Sequence, residues 1–177
     1  TARHLATKLV RHFVADQPPA ALVQRLADVF TRNGGNLAAV YRALIDAPEP
    51  WATATPKFKT PNDYVLSIYR GLDLPVPEGQ QALAALELLG QRQFSPGSPA
   101  GWPDRSVDWD GPAALLKRIE FADAVAQRVG NTRAATALAP QLLGAVLSDD
   151  TRQAIARAAN GVQALTLLLT APEFMRR

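Results

Sequence analysis

The stretch from Phe94 to Gly111, FSPGSPAGWPDRSVDWDG, concentrates the residues whose types and spacing could do chemistry. It holds two indoles, Trp102 and Trp109, and three carboxylates, Asp104, Asp108 and Asp110. Tryptophan faces beside carboxylates suit stacking on a sugar ring with hydrogen bonds to its hydroxyls, and a carboxylate pair can divide the acid and base roles of hydrolysis. These five residues form the candidate ligand-binding set. In a competing reading the indoles plug the loop onto a helical core while the aspartates face water or cap the next helix. Loops this long in compact domains are usually functional or disordered. Two large aromatic side chains predict order, with at least one of them packed near Leu115 or Ile119.

Metal chemistry finds less support. Ser106, Asp108, Asp110 and Gly111 fit the first half of a helix-loop-helix calcium pattern, but the place of its bidentate glutamate is taken by Lys117, and Pro112 starts a helix where the loop should continue. His4, Lys8 and His12 share one helical face, yet the two histidines are separated by roughly 12 Å of helical rise, too far to share one ion. No glycine-rich phosphate loop is present, and none of the serines has the flanking glycines of a nucleophile elbow. The Lys57-Phe58-Lys59 triplet reads as a solvated loop edge. No metal and no cofactor is expected, and no set of catalytic residues emerges.

The elements that would position these side chains are helical throughout. Leu5, Leu9, Val10, Phe13 and Val14 mark a first helix that stops before Pro18-Pro19. Leu22 to Phe30 mark a second, ended by Asn33-Gly34-Gly35, and Asn36 caps a third, closed by Pro48. Thr60-Pro61-Asn62-Asp63 opens a fourth that runs through Arg70 with Gly71 behind it, and a fifth spans about 78–89. Gly111-Pro112 opens a sixth over about 112–129, with Leu115, Leu116, Ile119, Ala122, Val125 and Val129 inward. Further helices are predicted at about 133–138, 140–147, 149–159 and 162–170. No segment alternates with period two long enough to be a strand. The fold class is all-α, a single-domain bundle of about eight to ten helices over 1–177.

Composition bounds the function classes. The chain has 177 residues, of which 47% are hydrophobic and none is cysteine, so it can bury a core without disulfides or zinc. Residues 1–60 carry eight Lys/Arg against four Asp/Glu, 61–110 three against seven, and 111–177 eight against five. This mildly basic, acidic, basic sequence gives no single stripe of the kind that tracks phosphates, and no nucleic-acid partner is expected. The longest apolar stretch, 162–169, is far too short to span a bilayer, so no membrane span is expected. Thr1 opens directly into a helical pattern with no visible leader.

Two stretches are alike at an offset of 124 residues: Asn36 through Ala47-Pro48-Glu49, and Asn160 through Ala171-Pro172-Glu173. They predict a duplicated helical hairpin over about 20–49 and 148–173, while leaving open a chance likeness of Leu-rich helices. After the first Ala-Pro-Glu, Pro50 should prevent a further helical turn.

The segment Thr1 to Val14, the Pro18-Pro19 break, the Lys57-Phe58-Lys59-Thr60-Pro61 entry, the Gly101-Trp102-Pro103-Asp104 loop and the ending from Leu168 to Phe174 together resemble the C-terminal part of the bacterial domain-of-unknown-function family 1800. The resemblance covers essentially the whole chain and implies the C-terminal portion of a longer, mostly exported protein, periplasmic or secreted. It also implies a protein partner, with a co-encoded exported sulfatase-like protein as the candidate, and supplies no catalytic residues. The expected function is thus a non-catalytic interaction or scaffolding module of an exported protein, with the apolar face of the first helix (Leu5, Leu9 and Phe13, beside Arg3, Lys8 and Arg11) as its expected interaction surface. The alternative is a carbohydrate-binding or hydrolytic domain using loop 94–111.

Overall fold

The computed structural model of the protein describes residues 1–52 and 57–177. Among them are nine α-helices and no sheet: α1 (Ala2–Phe13), α2 (Ala20–Arg32), α3 (Leu37–Ile45), α4 (Pro61–Gly71), α5 (Gly79–Leu88), α6 (Pro112–Val129), α7 (Ala135–Leu143), α8 (Asp149–Ala156) and α9 (Gly161–Leu169). An isolated antiparallel bridge joins Phe58 to Arg176. None of the described helices is long and apolar enough to cross a membrane.

Two compact units divide the chain. The first comprises residues 1–57 and 103–106, the second 58–102 and 107–177. In the first, α1 packs on α2 and α2 on α3 around Ala6, Val10, Leu22, Val23, Leu26, Ala27, Val40, Leu44 and Ala47. This core contains no aromatic residue. In the second, α9 packs against α6, α7 and α8, and α4 against α5. Its core contains Phe58, Tyr64, Tyr69, Trp109, Phe121 and Phe174 among many aliphatic residues.

Local chemistry sets the ends. At the end of α2, Gly34 and Gly35 take positive φ of 57° and 84°, so that the Gly35 N–H donates to Phe30 O (2.8 Å) and the Gly34 N–H to Thr31 O (3.3 Å). Thr60 accepts from the Asp63 N–H (3.2 Å) with Pro61 at the first helical position, as the sequence predicts. Gly71, expected behind α4, is instead its last residue; the left-handed position falls on Asp73 (φ 52°), and the Leu74 N–H closes the turn on Tyr69 O (2.8 Å). Aspartate tolerates this conformation better than most residues with a Cβ.

Two other expectations are corrected. The separate helices expected at 133–138 and 140–147 are one: α7 runs through Pro140, with Ala135, Ala139 and Leu143 buried one turn apart on a continuous face. Losing one N–H is offset here by packing on both sides of the proline. In α6 the inward face is Arg118, Phe121, Ala122, Val125, Ala126 and Val129, while Leu116 and Ile119 point to solvent. The apolar pattern misled because an arginine holds a core position.

The predicted hairpins are both present, as α2–α3 and α8–α9. Asn36 accepts from the Ala39 N–H (3.2 Å) and Asn160 from the Gln163 N–H (2.9 Å), so each second helix is capped alike. Each closing glutamate then ties back to its own first helix. Glu49 takes both arms of Arg25 (2.9 and 3.2 Å), and Glu173 accepts from the Ser148 N–H (3.1 Å) and the Thr151 hydroxyl (3.0 Å). Pro50 does not prevent a turn: Glu49–Trp51 forms a 3₁₀ turn whose bonds come from the N–H groups of Trp51 and Ala52, so the missing donor of Pro50 is not needed.

Candidate functional site

Of the five candidate residues, Asp104 belongs to the first unit and Trp102, Asp108, Trp109 and Asp110 to the second. Trp109 is 6% exposed and part of the core, against which Trp102 and Leu115 also pack. The two indoles lie 5.9 Å apart, inclined at 48°. Burial of Trp109 leaves no open face of that ring for a sugar. Asp108 is exposed and Asp110 half-buried. The N-cap of α6 is Gly111, with Pro112 at the first helical position.

Asp104 sits in a polar knot of the first unit. Its carboxylate accepts from Lys8 and lies 3.4 Å from His12 Nδ1, one turn further along α1. Burial raises the Asp104 carboxyl, but the bonds from Lys8 and His12 and their charges outweigh it and hold the pKa below the usual carboxylate range. Lys57, expected at a solvated edge, is buried beside it. Its ammonium donates to the carbonyls of Arg11 and Asp104 and pairs with Asp16 Oδ1 at 3.0 Å. Asp16 in turn accepts from the Ser106 N–H (2.8 Å). Burial raises the Asp16 carboxyl too, and the bonds from Ser106 and Lys57 again bring it below its ordinary value. A buried ammonium needs such partners, since leaving it unpaired costs several kcal/mol, about 3–5 on loss of one partner. The knot therefore clips residues 103–106 to α1 and leaves its carboxylates engaged as acceptors.

A second polar knot lies in the other unit. Arg118 is 1% exposed and its guanidinium carbon stands over Phe58 (4.4 Å) and Tyr64 (4.9 Å), with Nη2 donating to Lys59 O (2.7 Å). Nη1 is buried without a hydrogen-bond partner, and the two ring faces supply what stabilisation its charge receives there. Burial draws the Arg118 pKa down to about 10, against the fields of Tyr64, Asp110 and Asp63, so it stays charged at neutral pH. The Tyr64 hydroxyl donates to Leu169 O (3.0 Å), and burial pushes its pKa well above the ordinary value. Lys59 donates to Phe174 O (2.6 Å) from above that ring (4.4 Å), and burial lowers its pKa to about 8.

A third feature, of which sequence reasoning named only the α1 wall, is an apolar groove of about 490 Å³ in the first unit. Leu9 and Phe13 of α1 form one wall, Tyr41, Leu44 and Ile45 of α3 another, and Trp51 closes it. Phe13, Ile45 and Trp51 are 59%, 60% and 71% exposed. The groove is preorganised, because the Trp51 Nε1–H donates to Ile45 O (2.8 Å) and the Arg25–Glu49 fork holds the turn that carries it. Its signal in the sequence is the second apolar stripe of α3, Leu37, Tyr41 and Ile45, beside the core stripe of Val40 and Leu44.

A family model described as a protein of unknown function (DUF1800) matches residues 1–176. The chain belongs to the DUF1800 family. Neither a curated protein nor a solved structure matches it. In this DUF1800 chain the residues that carry the resemblance meet at the two polar knots: Lys8, Arg11, His12, Lys57 and Asp104 in one, Phe58, Lys59 and Phe174 in the other. Both places hold backbone segments together through buried cations. Among the described residues no group of three His, Cys, Asp or Glu side chains converges as metal ligands would.

Proposed function

We propose that this chain is a non-catalytic interaction module of an exported protein, and that it docks a protein partner through the apolar groove of its first unit. The observation carrying this reading is the groove itself. Three aromatic or aliphatic side chains more than half exposed, gathered on one preorganised surface, are what a monomeric protein rarely leaves uncovered. The engaged state of Asp104 and the burial of Trp109 weigh against catalysis or sugar stacking in loop 94–111. The family resemblance offers a co-encoded exported sulfatase-like protein as the partner to try first.

The reading is tested by placing glutamate at Phe13 and Ile45. Co-purification with that partner should be lost while stability changes by no more than about 0.5 kcal/mol, as expected for exposed positions. Hydrolysis of a glycan, ester or sulfate ester by the purified chain, abolished by Asp104, Asp108 or Asp110 to alanine, would replace the proposal with an enzyme.

A further inference from the structure

The second unit holds a smaller cleft, of about 320 Å³, that opens between α5 and α6 over the rings of Tyr69 and Phe121, each 8% exposed. Small side chains make the space: Ala84 and Ala85 on α5 and Ala124 on α6 line it, where longer ones would close it. Positions 81, 84, 85 and 88 of α5 follow the spacing of one helical face, as do positions 121, 124, 125 and 128 of α6. Among the described residues, Tyr69, Gln81 and Arg128 of this lining have side chains with no hydrogen bond or ion pair inside the protein. Apolar walls with a few polar groups left to fix a ligand's orientation are the composition of a small-molecule site. The volume stands at the small end of the range of about 300–1,000 Å³ that such sites occupy.

The charge of the lining selects the ligand. Arg128 carries the only charge among the described lining residues, and its guanidinium offers five N–H donors and no acceptor. The carboxylates that adjoin the lining in the chain are engaged or stand outside it. Glu87 pairs with Arg92 (3.8 Å), and Asp123 accepts from Gln127 (2.6 Å) and Thr166 (3.3 Å). Glu120 stands about 100° round α6 from Phe121, and Glu78, the N-cap residue of α5, is exposed and not part of the lining. We infer that this cleft binds a small carboxylic acid whose body is a single ring or a short branched chain. The body lies between the alanines against Tyr69 and Phe121, and the carboxylate pairs with Arg128 in a charge-assisted hydrogen bond. Gln81 and the Tyr69 hydroxyl supply further hydrogen bonds to the same ligand. The site is separate from the partner groove and stands or falls without it.

Two-dimensional amide NMR of the whole chain tests this, with phenylacetate, hydrocinnamate and isocaproate as probes, each beside its primary amide and the corresponding amine. At millimolar concentrations the acids should shift the resonances of Ala84, Ala85, Ala124 and Val125 in a saturable way. They should bind several-fold more tightly than the amides, and the amines should bind least. Arg128→Gln should bring the acids down to the level of the amides. Ala124→Leu, at an exposed position, should abolish binding of acid and amide alike by filling the space. Melting curves of both variants that match the parent show that loss of binding is not loss of fold. Phe13→Glu, in the groove of the first unit, should leave the acid titrations unchanged. Amides that bind as well as the acids, amines that bind better, or acid binding indifferent to Arg128→Gln overturn the inference. So does the lack of any saturable shift at the three alanines.

Discussion

After Glu49 the chain turns its next aromatic residue, Trp51, outward, whereas after Glu173 it turns Phe174 into the core. Up to that point the hairpins α2–α3 and α8–α9 run in parallel, with an asparagine cap, a buried alanine (Ala47 and Ala171) and a glutamate returning to the first helix. The difference repeats across the units. The first keeps Phe13, Tyr41 and Trp51 at its surface around an aliphatic core; the second buries six aromatic residues and stacks three cations, Lys59, Arg118 and Arg176, on them. One hairpin framework can thus spend its aromatic area either on its own stability or on a surface for something else.

The largest expected effect separates the two endings directly. Phe174→Ala should destabilise the protein by about 3–5 kcal/mol, because it empties a buried ring site against Tyr64, 6.1 Å away. Trp51→Ala should cost no more than about 1 kcal/mol, the worth of its bond to Ile45 O. Denaturant titration followed by circular dichroism measures both, and equal losses would erase the contrast.

Next in size are the glutamates. Glu173→Ala removes a carboxylate that caps the start of α8 and should cost about 1–2 kcal/mol, whereas Glu49→Ala breaks a more exposed fork with Arg25 and should cost less than about 1 kcal/mol. Burial raises the Glu173 carboxyl and the bonds from Ser148 and Thr151 bring it below its ordinary value, so its contribution is complete at neutral pH and fades as acid protonates it. Comparable losses at the two positions would show that the ties are equivalent.

A further contrast is a slope at alkaline pH. Lys59 titrates near 8 in the folded chain against 10.5 when free, so between those values the unfolded chain binds more protons and stability should rise with pH. Lys59→Met should flatten that rise in urea midpoints taken from pH 7.5 to about 10.5. A rise unchanged by the substitution would place its origin elsewhere.

Much of this architecture was legible in the residues themselves. The caps at Asn36 and Thr60, the glycine stop after α2 and the Ala-Pro-Glu repeat are written in short-range chemistry, and the helices follow. The face of α6 was not legible, because Arg118 occupies a core position that a hydrophobic pattern skips, and its neighbours Leu116 and Ile119 were read inward in its place. Asp104 was found as a candidate but not its partners, since Lys8 and His12 lie more than ninety positions away and no local rule joins them. The groove was legible only on its α1 side, at Leu9 and Phe13: Ile45 and Trp51 look like core residues until three-dimensional packing leaves them outside.

The Lys57 knot carries a consequence for how the sequence can drift. Fifteen of the nineteen cations are arginine, so the composition leans strongly to one of the two basic residues. At position 57 two carbonyls accept from the compact ammonium, and a carboxylate oxygen stands 3.0 Å away as its ion-pair partner. A planar guanidinium with five donors is longer and cannot match that geometry. Stereochemistry thereby favours lysine over arginine at this position, against the lean of the composition.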